Sequence, residues 1–241
     1  MSTIKVVTQD ITQLTDQIYR VRLAAYAGTL FDFRGGQYLF LLLPDGKRIP
    51  LSIASSPEET QFIELHIRLV AGGGIVEDML NLFRSEAPFE IDGPYGNCFL
   101  KAGEAPVIII AGGTGLSPMK SMLESAFACG DQREFKLFLG TQKSSELYQG
   151  DLLNQLAEQN SNFEYIPVVN DPETSWQGKC GFPHEVALNS LGEKAKSCEF
   201  YVGGSEAMVM NVYQALLDYG VPPKSVYSDI LDIKRESGEV L

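Results

Sequence analysis

The sequence predicts a two-domain β plus α/β protein: an antiparallel β-barrel over residues 1–102, then a five-stranded parallel α/β domain over residues 103–241. Three observations predict it. Short β-rich segments punctuated by Gly, Pro and Asp fill the first hundred residues, and strand-like and helix-like segments alternate from Pro106 onward. Between them lies "LKAGEAP", Leu100 to Pro106, a polar connection containing Gly and Pro.

In the first half, "QIYRVRLAA", "GQYLFLLLP", "IPLSIASS", "QFIELHIRLV" and "PFEIDGPYG" read as strands, with "GPYG" as the turn that closes the barrel. One segment breaks the pattern: "GIVEDMLNLFRS" places Ile75, Met79, Leu82 and Phe83 at helical spacing and suits a short amphipathic helix. In "ELHIR", alternation puts Leu65 and Ile67 on one face and Glu64, His66 and Arg68 on the other, which reads as a solvated face. In the second half the strands are "PVIIIAG", "FKLFLGT", "FEYIPVV", "EFYVGG" and "SVYSDIL". The helices are "PMKSMLESAFA", "DLLNQLAEQ", "PHEVALNSL" and "EAMVMNVYQALLDYG". Strand–helix alternation of this kind builds a parallel sheet wrapped by helices. The polar end, "IKRESGEVL", is expected to fray.

Composition narrows the function. The 241 residues, 44% of them hydrophobic, are enough to fill one large core or two smaller ones. A net charge of −12 with no cluster of Lys and Arg argues against a nucleic-acid partner. No apolar run approaches the roughly 20 residues of a membrane span, and the start lacks the charged and apolar regions of a signal peptide, so the expected location is the cytoplasm, away from membranes. The four cysteines, Cys98, Cys129, Cys180 and Cys198, are too scattered for a metal, redox or iron–sulfur motif and are expected to be reduced and mostly buried.

The run "AGGTGLSPM" stands where an apolar strand becomes a helix. Gly112, Gly113 and Gly115 let a ligand approach the backbone, Ser117 suits an N-cap, and Pro118 suits the first turn. Met119, Met122, Leu123, Ala126 and Phe127 form the apolar face of the helix. A helix starting at the C-terminal edge of a parallel sheet offers free N–H groups and a positive dipole end to an anion. The glycines alone fit equally a tight strand-to-helix turn with no ligand, and they do not match the G-x-G-x-x-G fingerprint.

The order "PLSIAS", "ELHIR…GGG…GPYG", "AGGTGLSP" and "YVGG…M" resembles the ferredoxin-NADP reductase superfamily, and within it the bacterial NAD(P)H-flavin reductases. The resemblance spans nearly the whole chain. It implies a front barrel that holds flavin, a back domain that holds NADH or NADPH, and hydride transfer from nicotinamide to flavin N5. Ser52 is then the catalytic serine, whose hydroxyl sits beside N5. The family pattern R-x-[YF]-S finds Ile49 at the arginine position and Leu51 at the aromatic one, with Arg48 one residue away and Pro50 matching the flavin reductases. The second phosphate motif, G-G-x-x-[ST], has Val76 in place of the hydroxyl residue. There Gly73 and Gly74 serve either as backbone donors or as a plain loop. His66, Ile67 and Arg68 fall on the strand the family uses around the flavin, and Arg68 is a possible compensating contact.

In the back domain the resemblance assigns Gly112, Gly113, Thr114, Gly115 and Ser117 to the nucleotide loop, with Thr114 near the nicotinamide. Thr141 and Lys143 fall where the adenine ribose is read. Lys143 meets a 2′-phosphate or is merely solvated, and the balance leans toward NADH. Gly203, Gly204 and Met208 align with a motif whose cysteine is Gly203 here; Cys180 and Cys198 read as packing residues rather than replacements for that thiol. Asp229 follows the last strand, and Tyr227 reads as structural. With both phosphate anchors eroded, FMN, FAD or riboflavin is expected to be a substrate that leaves after reduction, to be consumed by a monooxygenase or similar acceptor. The alternatives are a reductase that keeps FAD and passes electrons to a separate protein, and a binding module without turnover.

Overall fold

The computed structural model describes residues 2–68 and 74–239. They form two compact units, residues 1–100 with 117–129 and residues 101–116 with 130–241.

The first unit is a six-stranded antiparallel sheet built from β1 (Ser2–Gln13), β2 (Ile18–Ala25), β3 (Tyr38–Leu42), β4 (Arg48–Ser52), β5 (Ile63–Arg68) and β6 (Phe89–Tyr95), with α1 (Gly74–Arg84) between the last two. The strand order is β4-β3-β6-β1-β2-β5, and a bridge from Ile53 to Leu65 closes the two ends on each other. Barrel closure removes the sheet edges. Alternation sets the faces: Leu39, Leu41, Leu23, Val21 and Ile91 are fully buried inside, with Met79 and Phe83 of α1 packed among them. Ile75, expected on the buried face of α1, is exposed at its first turn.

Helix α2 (Leu116–Ala128) belongs by its contacts to this unit from Ser117 onward. Two glycines let it dock. A Cβ on Gly35 would stand 2.8 Å from the Ser121 carbonyl oxygen of α2, and one on Gly36, at φ +106°, would stand 2.4 Å from the Met122 methyl of α2 and 2.0 Å from the Cys98 carbonyl oxygen beside it. Only residues without a side chain allow backbone to approach backbone this closely.

The second unit is a parallel sheet of β7 (Val107–Gly112), β8 (Phe135–Thr141), β9 (Phe163–Val169), β10 (Lys179–Cys180), β11 (Glu199–Gly203) and β12 (Val226–Tyr227), in the order β10-β9-β8-β7-β11-β12. Ile108, Ile109 and Ile110 are all fully buried, as expected of a central parallel strand covered on both faces. Helices α3 (Gly150–Gln159), α4 (Pro183–Leu191), α5 (Glu206–Tyr219) and α6 (Asp229–Glu236) complete the unit.

Several sequence expectations are corrected. The parallel sheet has six strands rather than five, because the two-residue β10 adds to the edge beside β9. "SVYSDIL" is a strand only at Val226–Tyr227 and then becomes α6, which extends into the segment expected to fray and is tied down by Lys234 to Glu206 at 2.7 Å. "GPYG" is not a turn: Gly93 pairs with Ser2 and Tyr95 with Tyr38, so β6 runs through it. β1, which carries no clean alternation, is the longest strand of the barrel and pairs with both β2 and β6. Cys98 and Cys198 are buried, but Cys129 and Cys180 are exposed and so do not pack a core; none of the four is in a disulfide. No described helix is long and apolar enough to cross a membrane, and no cluster of metal-ligating residues occurs among the described residues.

Candidate active site

In the first unit the site grows from the outward face of β3, β4 and β6. Ser52 lies directly opposite Tyr38, and Pro50 opposite Phe40. Tyr38, Phe40 and Tyr95 form one aromatic group: Tyr38 stacks on Tyr95 with ring centroids 5.9 Å apart, and Phe40 meets both rings edge-on at 5.5 and 5.0 Å. Ser52 is half-buried and its hydroxyl has no hydrogen-bond partner among the described residues. A hydroxyl left open beside an aromatic platform suits a planar heteroaromatic ligand with an acceptor at its edge.

Arg48 is committed elsewhere. Its guanidinium meets the Asp92 carboxylate at 2.6 Å, donates to the Tyr95 hydroxyl at 3.1 Å and lies 4.2 Å over the Phe40 ring. Leu51, at the family's aromatic position, lies opposite buried Leu39 and packs against the barrel core, as do Ile49 and, from α1, Val76. Gly74 opens α1 at an exposed position, and Gly73 lies outside the described residues. Arg68 is exposed, with Nε and Nη2 donating to the Gln17 side-chain oxygen at 3.1 and 2.8 Å. Ile67 is buried in the core.

The reading of Glu64 and His66 as a solvated face is overturned: they are 3% and 5% exposed. Helix α2 covers them. Glu64 is held by Arg22 at 3.0 Å, His66 at 3.1 Å and Lys120 at 3.4 Å, and Lys120 also reaches Glu124 at 2.9 Å. Burial disfavours the charged carboxylate, but the His66 hydrogen bond, the Lys120 charge and Arg22 outweigh it and hold Glu64 well below the usual range. Burial keeps His66 below its ordinary value, and so neutral, despite the carboxylate beside it.

In the second unit, the ends of β7 and β11 bring two glycine turns together. A Cβ on Gly115 would fall 2.3 Å from the carbonyl carbon of Gly203 and from the amide nitrogen of Gly204. One on Gly112 would strike the Met208 sulfur at 2.4 Å. Gly112, Gly115, Gly203, Gly204 and Met208, singled out separately in the sequence, are therefore one cluster. Gly113–Gly115 form a 3₁₀ turn with Gly113 at φ +52°, and the Leu116 amide bonds back to the carbonyls of Gly113 and Thr114. This corrects Ser117, which is inside the first turn of α2 rather than its N-cap, because the glycine turn itself serves as the helix entry. The Ser117 hydroxyl is buried and has no hydrogen-bond partner among the described residues. Tyr148, buried, donates to the Gly113 carbonyl at 3.4 Å, a contact the sequence did not signal. At the end of β8, Thr141 donates to the Lys143 carbonyl at 2.9 Å, and the Glu146 carboxylate accepts from the Gln142 amide at 3.2 Å.

These residues fit the groups the sequence implies. A 3₁₀ turn packed to backbone contact, opening a 13-residue helix and followed by a buried hydroxyl with no protein partner, is suited to a nucleotide diphosphate. The open serine and ring cluster suit a flavin.

Comparison with known proteins agrees. The family "Oxidoreductase FAD-binding domain" matches residues 4–99, and "Oxidoreductase NAD-binding domain" matches residues 109–214. The fold is that of the Amycolatopsis cytochrome P450 reductase GcoB, at a TM-score of 0.86 and 24% identity over 95% of this chain and 69% of that one. The class defined is a flavin- and nicotinamide-nucleotide-dependent oxidoreductase. A "Probable flavin reductase" of Photobacterium leiognathi is 37% identical over 74% of this chain and 77% of its own length. The "Phenol hydroxylase P5 protein" of Acinetobacter pittii is 34% identical over 82% of this chain and 57% of its own. The chain belongs to the oxidoreductases that pair an FAD-binding domain with an NAD-binding domain, a family that takes in both of these relatives. It spans 51–59% of the length of the reductases it matches from Yersinia pestis, Acinetobacter and Pseudomonas.

Proposed function

We propose that this protein is an NAD(P)H:flavin oxidoreductase that reduces FMN, FAD or riboflavin and releases the product. The reduction itself is supplied by the two ligands when bound, the nicotinamide giving a hydride that flavin N5 accepts. The chain supplies position. Ser52 offers its hydroxyl to the flavin edge, Tyr38 and Tyr95 flank the plane, and the Gly113–Gly115 turn with Ser117 holds the nucleotide diphosphate. Residues 1–102 then serve as the flavin half and 103–241 as the nucleotide half, a division that the two family matches support.

The observation that carries release is Arg48. The cation nearest the motif position for a flavin phosphate is ion-paired with Asp92 through Nη2, which also donates to the Tyr95 hydroxyl, so part of its charge is already offset before a phosphate arrives. Glu146 beside the end of β8 disfavours a 2′-phosphate at Lys143 and supports NADH over NADPH. Four cysteines outside any disulfide, two of them exposed, support a reducing compartment such as the cytoplasm.

A second reading has its own support. Relatives include the "Phenol 2-monooxygenase, reductase component DmpP" of Pseudomonas, 37% identical over 73% of this chain. On that reading FAD stays bound and electrons pass to an oxygenase or another acceptor protein. The absorbance of freshly purified protein near 450 nm separates the two. Colourless protein that oxidises NADH only when flavin is added is the expected result. Yellow protein with one FAD per chain would establish the second reading.

A further inference from the structure

The loop that follows Ser52 is fastened from two sides. On the strand side, Ile53 bridges Leu65, the Ala54 amide donates to the Glu64 carbonyl at 2.7 Å, and the Glu64 amide donates to the Ser55 hydroxyl at 3.0 Å. On the helix side, the Lys120 ammonium donates to the Ala54 carbonyl at 3.1 Å and the Ser121 hydroxyl to the Ser55 carbonyl at 2.6 Å. Two consecutive carbonyls just past Ser52 are thus each capped by one of two consecutive α2 side chains. Lys120 and Ser121 are 6% and 0% exposed. Burying an ammonium is costly unless it is fully paired, and its pairs are Glu64 and Glu124. A leucine at position 120 would cover the same strand without that cost, so packing alone does not account for a lysine there.

We propose that Lys120 and Ser121 are positioning residues for Ser52. They act through the carbonyls of Ala54 and Ser55, and the Glu64 carboxylate fixes the Lys120 head in place. This rests on the reading of Ser52 as the flavin serine. Hydride transfer depends steeply on the alignment of donor and acceptor, so a Ser52 segment held by helix and strand together places its hydroxyl more tightly than strand pairing alone. Helix α2 is also continuous with the glycine turn Gly113–Gly115, so the element that grips the Ser52 loop starts where the nucleotide is expected to bind.

The test uses the full-length chain with Ser121→Ala and Lys120→Met, and with Lys136→Met as control. Lys136, on β8, likewise makes two ion pairs, with Glu164 of β9 and with Glu134 just before β8, though to more exposed carboxylates, and these pairs involve neither carbonyl. Should Lys120→Met fail to fold, the double variant Lys120→Met, Glu64→Gln removes both buried charges and replaces it. Two readouts are taken. In stopped-flow reduction of riboflavin by NADH, Ser121→Ala and Lys120→Met are expected to lower the hydride-transfer rate about tenfold or more, with both KM values shifting less than about threefold. In hydrogen exchange without ligands, the Ala54 amide is expected to exchange about tenfold faster in both variants, while the control leaves rate and exchange as in the wild type. Wild-type rates and wild-type exchange at Ala54 in both variants would overturn the proposal, as would an equal loss of rate in the control. A wild-type chain that reduces no flavin would overturn the flavin-reductase reading instead; in that case faster exchange of the Ala54 amide in both variants would still support the fastening of the Ser52 loop by α2, and unchanged exchange would refute it.

Discussion

On the proposed function, the chemistry turns on a single side chain, Ser52. It is half-buried, its hydroxyl has no partner among the described residues, and its strand neighbour is Tyr38. Replacement by alanine removes one oxygen and leaves no unpaired group behind, so the fold should be indifferent. The expected outcome for Ser52→Ala is a loss of about a hundredfold in the rate of flavin reduction with an unchanged melting temperature, measured by stopped-flow absorbance and by thermal unfolding. Unchanged turnover would remove Ser52 from the site. The glycines were legible in the sequence because each group stands in one short run, Gly112–Gly115 and Gly203–Gly204, at the end of an apolar strand. The fate of Arg48 was not, because its partner Asp92 comes from β6, 44 residues further along the chain. Leu51 is a similar case: the motif position was readable, but the pleat that turns its side chain toward Leu39 and the core was not.

At the scale of elements, the pairing of β5 with α2 is where reading the sequence went furthest astray. Alternation correctly separated Leu65 and Ile67 from Glu64 and His66, yet it says only which side of a strand a residue takes. What covers that side is α2, more than fifty residues later in the chain, and it arrives with its own cation. β10 and the shortness of β12 were hidden for a related reason, since two-residue strands have no period to detect. The buried cluster makes a pH prediction with a definite sign. His66 is held below its ordinary 6.5 by burial. Glu64 is held below its ordinary 4.5 because His66, Lys120 and Arg22 overcome the effect of burial. Groups with depressed values contribute stability above their ordinary pKa and lose it as pH falls. Glu124, which burial raises above 4.5 against the pull of Lys120, has the opposite sign: it gains stability as pH falls toward 4.5 and so offsets part of the His66 loss, not the Glu64 loss below 4.5. The melting temperature should therefore fall as pH drops below 6.5 and fall further below 4.5. Glu64→Gln should flatten the lower limb, and a wild-type curve that is level from pH 7 to pH 4 would contradict the ion-pair account.

For the whole molecule, the proposed function makes net charge a determinant of which flavins are taken up easily. The chain carries 31 acidic and 19 basic residues, a net −12, while NADH and FMN are both anions and riboflavin is neutral. A field of that sign opposes the approach of both anions, and it reaches about 30 Å at 0.01 M salt but only about 8 Å at 0.15 M. Near the Ser52 strand the nearest cation gives no local relief, because Arg48 is spent on Asp92. The two effects act in the same direction, so phosphate on the flavin should be a burden at low ionic strength rather than a handle. The expected result is that raising salt from about 0.01 M to about 0.15 M lowers the KM for FMN several-fold at saturating NADH, while the KM for riboflavin stays constant within about twofold. Steady-state kinetics with the two flavins on one preparation measures this directly, and the neutral ligand corrects for any general effect of salt on the protein. If the KM for FMN instead rose with salt, a local cation would be attracting the phosphate in spite of the global charge. Asp92→Asn would then identify it: release of Arg48 from its pair should tighten FMN and leave riboflavin unchanged.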